Sequence, residues 1–82
     1  MSVYEQSVIG ACLLEPGAFW RVCDRLTHED FRDARHSILW RAIDENLRAG
    51  RPADAVTLAD WLEQAGASEK AGGVRYVYEL AN

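Results

Sequence analysis

From His36 to Leu62 the polar and apolar positions fall into two helical periods with a sharp stop between them. Ile38, Leu39, Ala42, Ile43 and Leu47 recur at spacings of three and four, the signature of a helix with one buried stripe. Arg41, Asp44, Glu45 and Arg48 fall on the opposite side. Gly50 tolerates left-handed backbone angles and Pro52 cannot continue the helix, so the period breaks there. Asp54 and Thr57 are both N-cap candidates, and Thr57-Leu58-Ala59-Asp60 reads as a loose capping box. Leu58, Trp61, Leu62 and Ala65 form the stripe of the second helix. Two amphipathic helices joined by a short turn must bury their stripes against each other or against neighbours, which predicts an all-α unit.

The same spacing extends in both directions. Val3 to Leu14 reads as a first helix, with Tyr4, Val8, Ala11 and Cys12 on one side, Ile9 and Leu13 widening it, and Glu5 near the start, where it suits the helix dipole. Gly10 lies inside it at a cost of about 1 kcal/mol relative to Ala, a position where a glycine admits another helix at close range. Pro16-Gly17 ends this helix and starts a short second one, Ala18 to Leu26. There Phe19, Val22, Cys23 and Leu26 point inward and Trp20 lies outside the stripe. Thr27-His28-Glu29-Asp30 has the form of a cap followed by an acid, and Phe31 closes that single turn onto the core. His36 projects onto the edge of the central stripe, near Ile43 and Leu47, and reads as a core residue hydrogen-bonded to backbone rather than a catalyst. Gly66 ends the second central helix, and residues 67–71 read as a loop. Gly72-Gly73 opens a last helix, Val74 to Ala81, with Tyr76, Val77 and Leu80 on its apolar side.

The chain of 82 residues is one small domain, 49% hydrophobic, with enough aromatic residues for one core. A domain of this size is marginal alone, so oligomerisation or attachment to a larger protein is expected. The formal charge of −4 argues against a dedicated nucleic-acid surface, which shows as a basic excess. Eight of the nine basic residues are Arg, which reads as the codon bias of a GC-rich genome. Cys12 and Cys23 lie in apolar helical segments without metal-type spacing, consistent with buried free thiols in a reducing cytoplasm. No basic start with an apolar run behind it marks a signal peptide, and no apolar stretch approaches the ~20 residues that span a membrane.

Chemistry-bearing patterns are missing from the sequence. There is no phosphate-cradling G-x-x-x-x-G-K-[ST] and no H-E-x-x-H or Cys/His cluster. The acidic pairs Glu29-Asp30 and Asp44-Glu45 sit at a helix start and on a solvent face, where capping and solvation account for them. Ser7 and Ser37 have no base at suggestive spacing. The residues describe a non-catalytic helical module with no catalytic, cofactor-binding or metal-binding candidates. Trp20, Tyr76 and Tyr78 are the aromatics least accounted for by internal stripes. They are the candidates for a protein interface, the alternative being that they cover gaps in a small core.

Four blocks in order resemble the N-terminal domain of the replicative DNA helicase of bacteria and phages, the DnaB family. Glu5-Gln6-Ser7-Val8-Ile9-Gly10 with Leu13-Leu14 is similar to the family's opening E-Q-S-V-L-G segment. Glu29-Asp30-Phe31, His36, Leu39-Trp40 and Arg41-Ala42 resemble its D-F…H…I-[FY]-x-A stretch, with Trp40 where the family has Phe or Tyr. Leu47, Gly50, Pro52, Asp54, Thr57-Leu58 and Leu62 match L-x-x-G-x-P-x-D-x-x-T-L…L. Gly72-Gly73, Tyr76 and Leu80 match the closing G-G-x-x-Y-x-x-x-L. The resemblance covers nearly the whole chain.

It implies a compact orthogonal bundle of about five to six short helices, the globular head of an N-terminal collar in a hexameric ring. In that family the collar helps assemble the ring and receives primase and helicase loaders. ATP and magnesium are expected only in the separate RecA-like motor domain, so no catalytic residue carries over. The partners implied are helicase subunits and primase or a loader, in the cytoplasm of a bacterium or phage-infected host, with no direct nucleic-acid binding and no membrane. The family domain continues into a long helical hairpin that makes dimer contacts, whereas this chain stops at Asn82. It therefore reads as the globular head alone or as an unusually short, phage-type protein. Two other readings compete: a helicase-binding module of a primase, and a stand-alone helical regulator or DNA-binding helix-turn-helix. The G-x-P-x-D-x-x-T-L block favours the helicase over the primase. The helix from Thr57 to Ala65, which would be the recognition helix, carries Asp60 and Glu63 and no basic residue.

Overall fold

The sequence breaks before Pro16 and at Gly50 and Gly66 divide the structure, a computed structural model that describes residues 3–82, into short helices. They are α1 (Val3–Leu14), α2 (Pro16–Val22), α3 (Ala34–Arg48), α4 (Ala55–Gln64) and α5 (Gly73–Leu80), with a single 3-10 turn over His28–Asp30 between α2 and α3. No strand forms among the described residues.

The starts and stops have local causes. Pro16 occupies the first turn of α2, where its missing N–H costs nothing. Thr27 and Asp30 form a complete capping box around the 3-10 turn: the Thr27 side chain accepts from the Glu29 N–H, and Asp30 accepts from the Thr27 N–H at 2.8 Å. Asp33 caps α3 by accepting from the Arg35 N–H. Of the two candidates before α4, Asp54 is the cap, and the Thr57 hydroxyl donates to it at 2.5 Å. Helix α4 therefore begins at Ala55, two residues before Thr57. Helix α2 runs from Pro16 and ends at Val22, earlier than the apolar spacing implies. Residues 23–25 then form a turn that leaves Cys23 and Leu26 only half-buried.

α3 is the central element. Leu39, Trp40, Ala42 and Ile43 are buried along it, joined by Ile9 and Leu13 of α1, Phe19 of α2, Leu58 and Leu62 of α4 and Val77 of α5. Trp40 is clamped between Phe19 at 5.1 Å and Phe31 at 5.3 Å, ring centre to ring centre.

In α1 the face differs from the one the spacing implies. The buried residues are Glu5, Ile9, Gly10, Cys12 and Leu13, whereas Tyr4 is 77% exposed and Ala11 is also exposed. The helix is apolar nearly all round, so apolar spacing alone does not fix its rotation. A buried polar contact at Glu5 does. Gly10 behaves as expected: a Cβ there would collide with the Leu80 carbonyl oxygen, so α5 lies directly on the bare backbone of α1.

Candidate functional site

Two of the three buried polar side chains among the described residues, Glu5 and His36, meet where α1, α3 and α5 come together. The third, Asn46, donates to the Ala42 carbonyl and accepts from Arg51 at the end of α3. Glu5 is buried on α1, and its carboxylate accepts from two backbone N–H groups just before α3: Arg32 at 2.7 Å and Asp33 at 3.4 Å. His36, 1% exposed, places Nδ1 2.8 Å from Glu5 Oε1 and Nε2 2.5 Å from the Tyr76 hydroxyl. With Nδ1–H donating to the carboxylate, a neutral imidazole leaves Nε2 to accept from the Tyr76 O–H. Gln6 Nε2 reaches the same hydroxyl at 3.4 Å. His36 is a core residue, but its partners are side chains of two other helices rather than backbone.

Charge settles around this chain of bonds. Burial alone would push the Glu5 carboxyl upward, but the Arg32 amide, His36 and the Asp33 amide outweigh it and hold it below the usual range. Asp33 pairs with Arg35 at 2.7 Å, and that hydrogen bond brings its pKa to about 2. The Arg35 guanidinium lies 4.1 Å from the centre of the Tyr76 ring, on which the His36 ring also stacks. The arrangement fixes three helices together. It holds a tyrosine, a histidine and a carboxylate in line, and both imidazole nitrogens are engaged within the domain.

The three aromatic interface candidates are not brought together. Trp20 stands on the outside of α2, 48% exposed, edge-on to Phe19 and with the Arg48 guanidinium 5.6 Å from its ring centre. Tyr78 projects from α5, 43% exposed. Tyr76 is half-buried and its hydroxyl is committed to His36. The apolar spacing did not reveal further exposed apolar side chains on α1, Val3, Tyr4 and Leu14, and Val56 on α4. Two grooves flank α1. One has Tyr4, Val8, Leu26 and Phe31 in its walls. The other lies between α1 and α5 along Gln6, Gly10, Tyr76 and Leu80.

Among the described residues no group of three or more His, Cys, Asp and Glu side chains is placed to hold a metal ion. No helix among them is long and apolar enough to cross a membrane. Cys12 is buried and its thiol is pushed up to about 11 by that burial; Cys23 is half-buried, and both are free.

A family model described as the DnaB-like helicase N terminal domain matches residues 2–82. The replicative DNA helicase DnaB of Pasteurella multocida (strain Pm70) is 35% identical over 77 residues, covering 94% of this chain and 16% of that protein. Its counterpart from Rhodothermus marinus is 41% identical over 76 residues, covering 93% of this chain and 8% of that protein. The crystal structure of the N-terminal domain of DnaB helicase from Mycobacterium tuberculosis is similar with a TM-score of 0.88 at 39% identity, over 94% of this chain and 54% of that one. The chain thus spans less than a fifth of the length of these two helicases and about half of the solved domain.

Proposed function

The chain belongs to the DnaB-like helicase N-terminal domain family, and on that premise we propose that it is the assembly and partner-docking head of a replicative DNA helicase, acting in DNA replication through protein contacts and without catalysis of its own. The observation that carries this reading is the pairing of family membership along nearly the whole chain with a polar cluster spent on holding helices together. Glu5, His36 and Tyr76 bond to one another across α1, α3 and α5, while the side chains left outward on α2 and α5 include the aromatics Trp20 and Tyr78. Exposed aromatics are the usual anchors of protein interfaces.

The partners in this reading are other helicase subunits in a ring and primase or a helicase loader, in the cytoplasm of a bacterium or phage-infected host. Tyr76 acts from below, by seating α5, rather than as a contact residue. ATP and magnesium belong to the motor domain of the longer family members. The net charge of −4 supports docking to protein rather than to nucleic acid. The test is a chimera in which this chain replaces the matching segment of a relative's full-length helicase. Ring assembly and stimulation by primase should be retained, and Trp20→Ala or Tyr78→Ala should weaken one of them without loss of fold. A chimera that folds but neither assembles nor responds to primase overturns the proposal.

A further inference from the structure

α5 packs against α1 and α4, and its polar ties to the rest of the domain run through Tyr76. Two consecutive glycines with left-handed backbone, Gly72 (φ 103°) and Gly73 (φ 87°), lead straight into it, and no side chain caps its start. Such a pair is conformationally permissive in both the closed and any open geometry. Of the residues in α5 only Val77 is buried; Val74, Tyr76 and Leu80 are covered in part. Where α5 crosses α1 it rests on Gly10, which supplies no interlocking side chain. Among the described residues, the side-chain hydrogen bonds that tie α5 to other helices all converge on one atom, the Tyr76 hydroxyl, bonded to His36 and Gln6. His36 itself is fixed independently of α5. It is buried on α3 and braced by Glu5, which the Arg32 and Asp33 amides hold in turn.

We infer that α5 is a hinged flap: it turns on Gly72–Gly73, is latched by the Tyr76 hydroxyl on His36, and opens as a unit while α1 to α4 stay folded. Elements that move are drawn from the parts of a fold with few buried contacts, and Val77 is the one fully buried residue of α5. Closed, the flap forms one wall of the groove along Gln6, Gly10 and Leu80 and presents Tyr78 outward. Open, it bares the Gly10 face of α1 and the seat of Val77. The latch state therefore decides which of two surfaces this side of the domain offers to another chain. The flap rests on the geometry of the chain alone and stands or falls separately from the proposed role in replication.

Native-state hydrogen exchange of the intact chain at neutral pH tests it. The amides of Val77 to Ala81 should exchange at least tenfold faster than those of Leu39 and Ile43 in α3. Tyr76→Phe, which removes the latch but keeps the ring, should speed the α5 amides roughly tenfold further and leave the α3 amides unchanged. Gln6→Leu, which removes only the weaker bond to the same hydroxyl, should act in the same direction by a smaller factor, and it serves if Tyr76→Phe does not fold. Exchange of α5 and α3 at one common rate overturns the flap. An acceleration spread evenly over α3 and α5, or no acceleration of α5, overturns the latch.

Discussion

The imidazole of His36 stands between Glu5, 2.8 Å from Nδ1, and Tyr76, 2.5 Å from Nε2, and so joins the first helix to the last through the central one. Removing the ring takes one hydrogen-bond partner from a buried carboxylate and one from a half-buried hydroxyl at once, and empties a buried space in α3. His36→Ala is expected to destabilise the domain by about 3 kcal/mol, since it loses two hydrogen bonds and leaves a cavity at a buried position. Urea denaturation monitored by tryptophan fluorescence gives the value. A loss under about 1 kcal/mol would mean that the line of bonds contributes little.

Glu5 sets the acid limit of the fold. Its folded-state pKa lies below its usual value of 4.5, so its contribution is present in full above that value and is lost as pH falls through the folded one. Asp33 adds to the loss lower down, between its usual 3.8 and about 2. Denaturation midpoints should therefore fall as the pH drops from 5 to 3. Glu5→Gln should lower stability at pH 7 and flatten that part of the curve. An unchanged slope in the variant would refute the assignment.

Gly10→Ala separates two opposing effects. The helix gains about 1 kcal/mol from the better helix former. The added Cβ, however, runs into the Leu80 carbonyl, a backbone atom that moves only if α5 moves. Overpacking of this kind costs about 1–3 kcal/mol, so a net loss is expected, together with faster amide exchange in α5. A stabilised Gly10→Ala protein would show that the two backbones are not in contact.

The two cysteines should differ in reactivity. Cys12 is buried with its thiol pushed up to about 11, whereas Cys23 lies half-buried in the turn after α2. In a disulfide-exchange assay on the native chain at pH 8, one thiol should react quickly and the second at least tenfold more slowly. Mapping by mass spectrometry should place the fast label on Cys23. Equal rates would contradict the burial of Cys12.

The central pair of helices was legible because every sequence signal there has one physical reading except the start of α4, where Asp54 and Thr57 both fit a cap. Ile38, Leu39, Ala42, Ile43 and Leu47 define a phase, Gly50 and Pro52 end it, and Asp54 caps α4. The family resemblance rests on the same residues, and the fold it implied is the one observed. The rotation of α1 was not legible, because Val3, Tyr4, Val8, Ile9, Ala11, Leu13 and Leu14 surround the helix and give no preferred face. What turns it is Glu5, whose partner His36 lies 31 positions along the chain, with Tyr76 a further 40 beyond that. No local spacing connects an acid near a helix start with a histidine and a tyrosine that far away. The exposure of Trp20 was readable from its place outside the α2 stripe. The internal commitment of Tyr76 was not, since α5 alone shows only an amphipathic turn.

That this head works by binding protein is tested most directly by titrating the isolated chain, labelled at Cys23, against a replicative helicase ring, a primase and duplex DNA at low salt. Saturable binding to at least one of the proteins is predicted, weakened about tenfold or more by Trp20→Ala or Tyr78→Ala, with no saturable binding to DNA. Saturable micromolar binding to duplex DNA, with no binding to either protein, would contradict it.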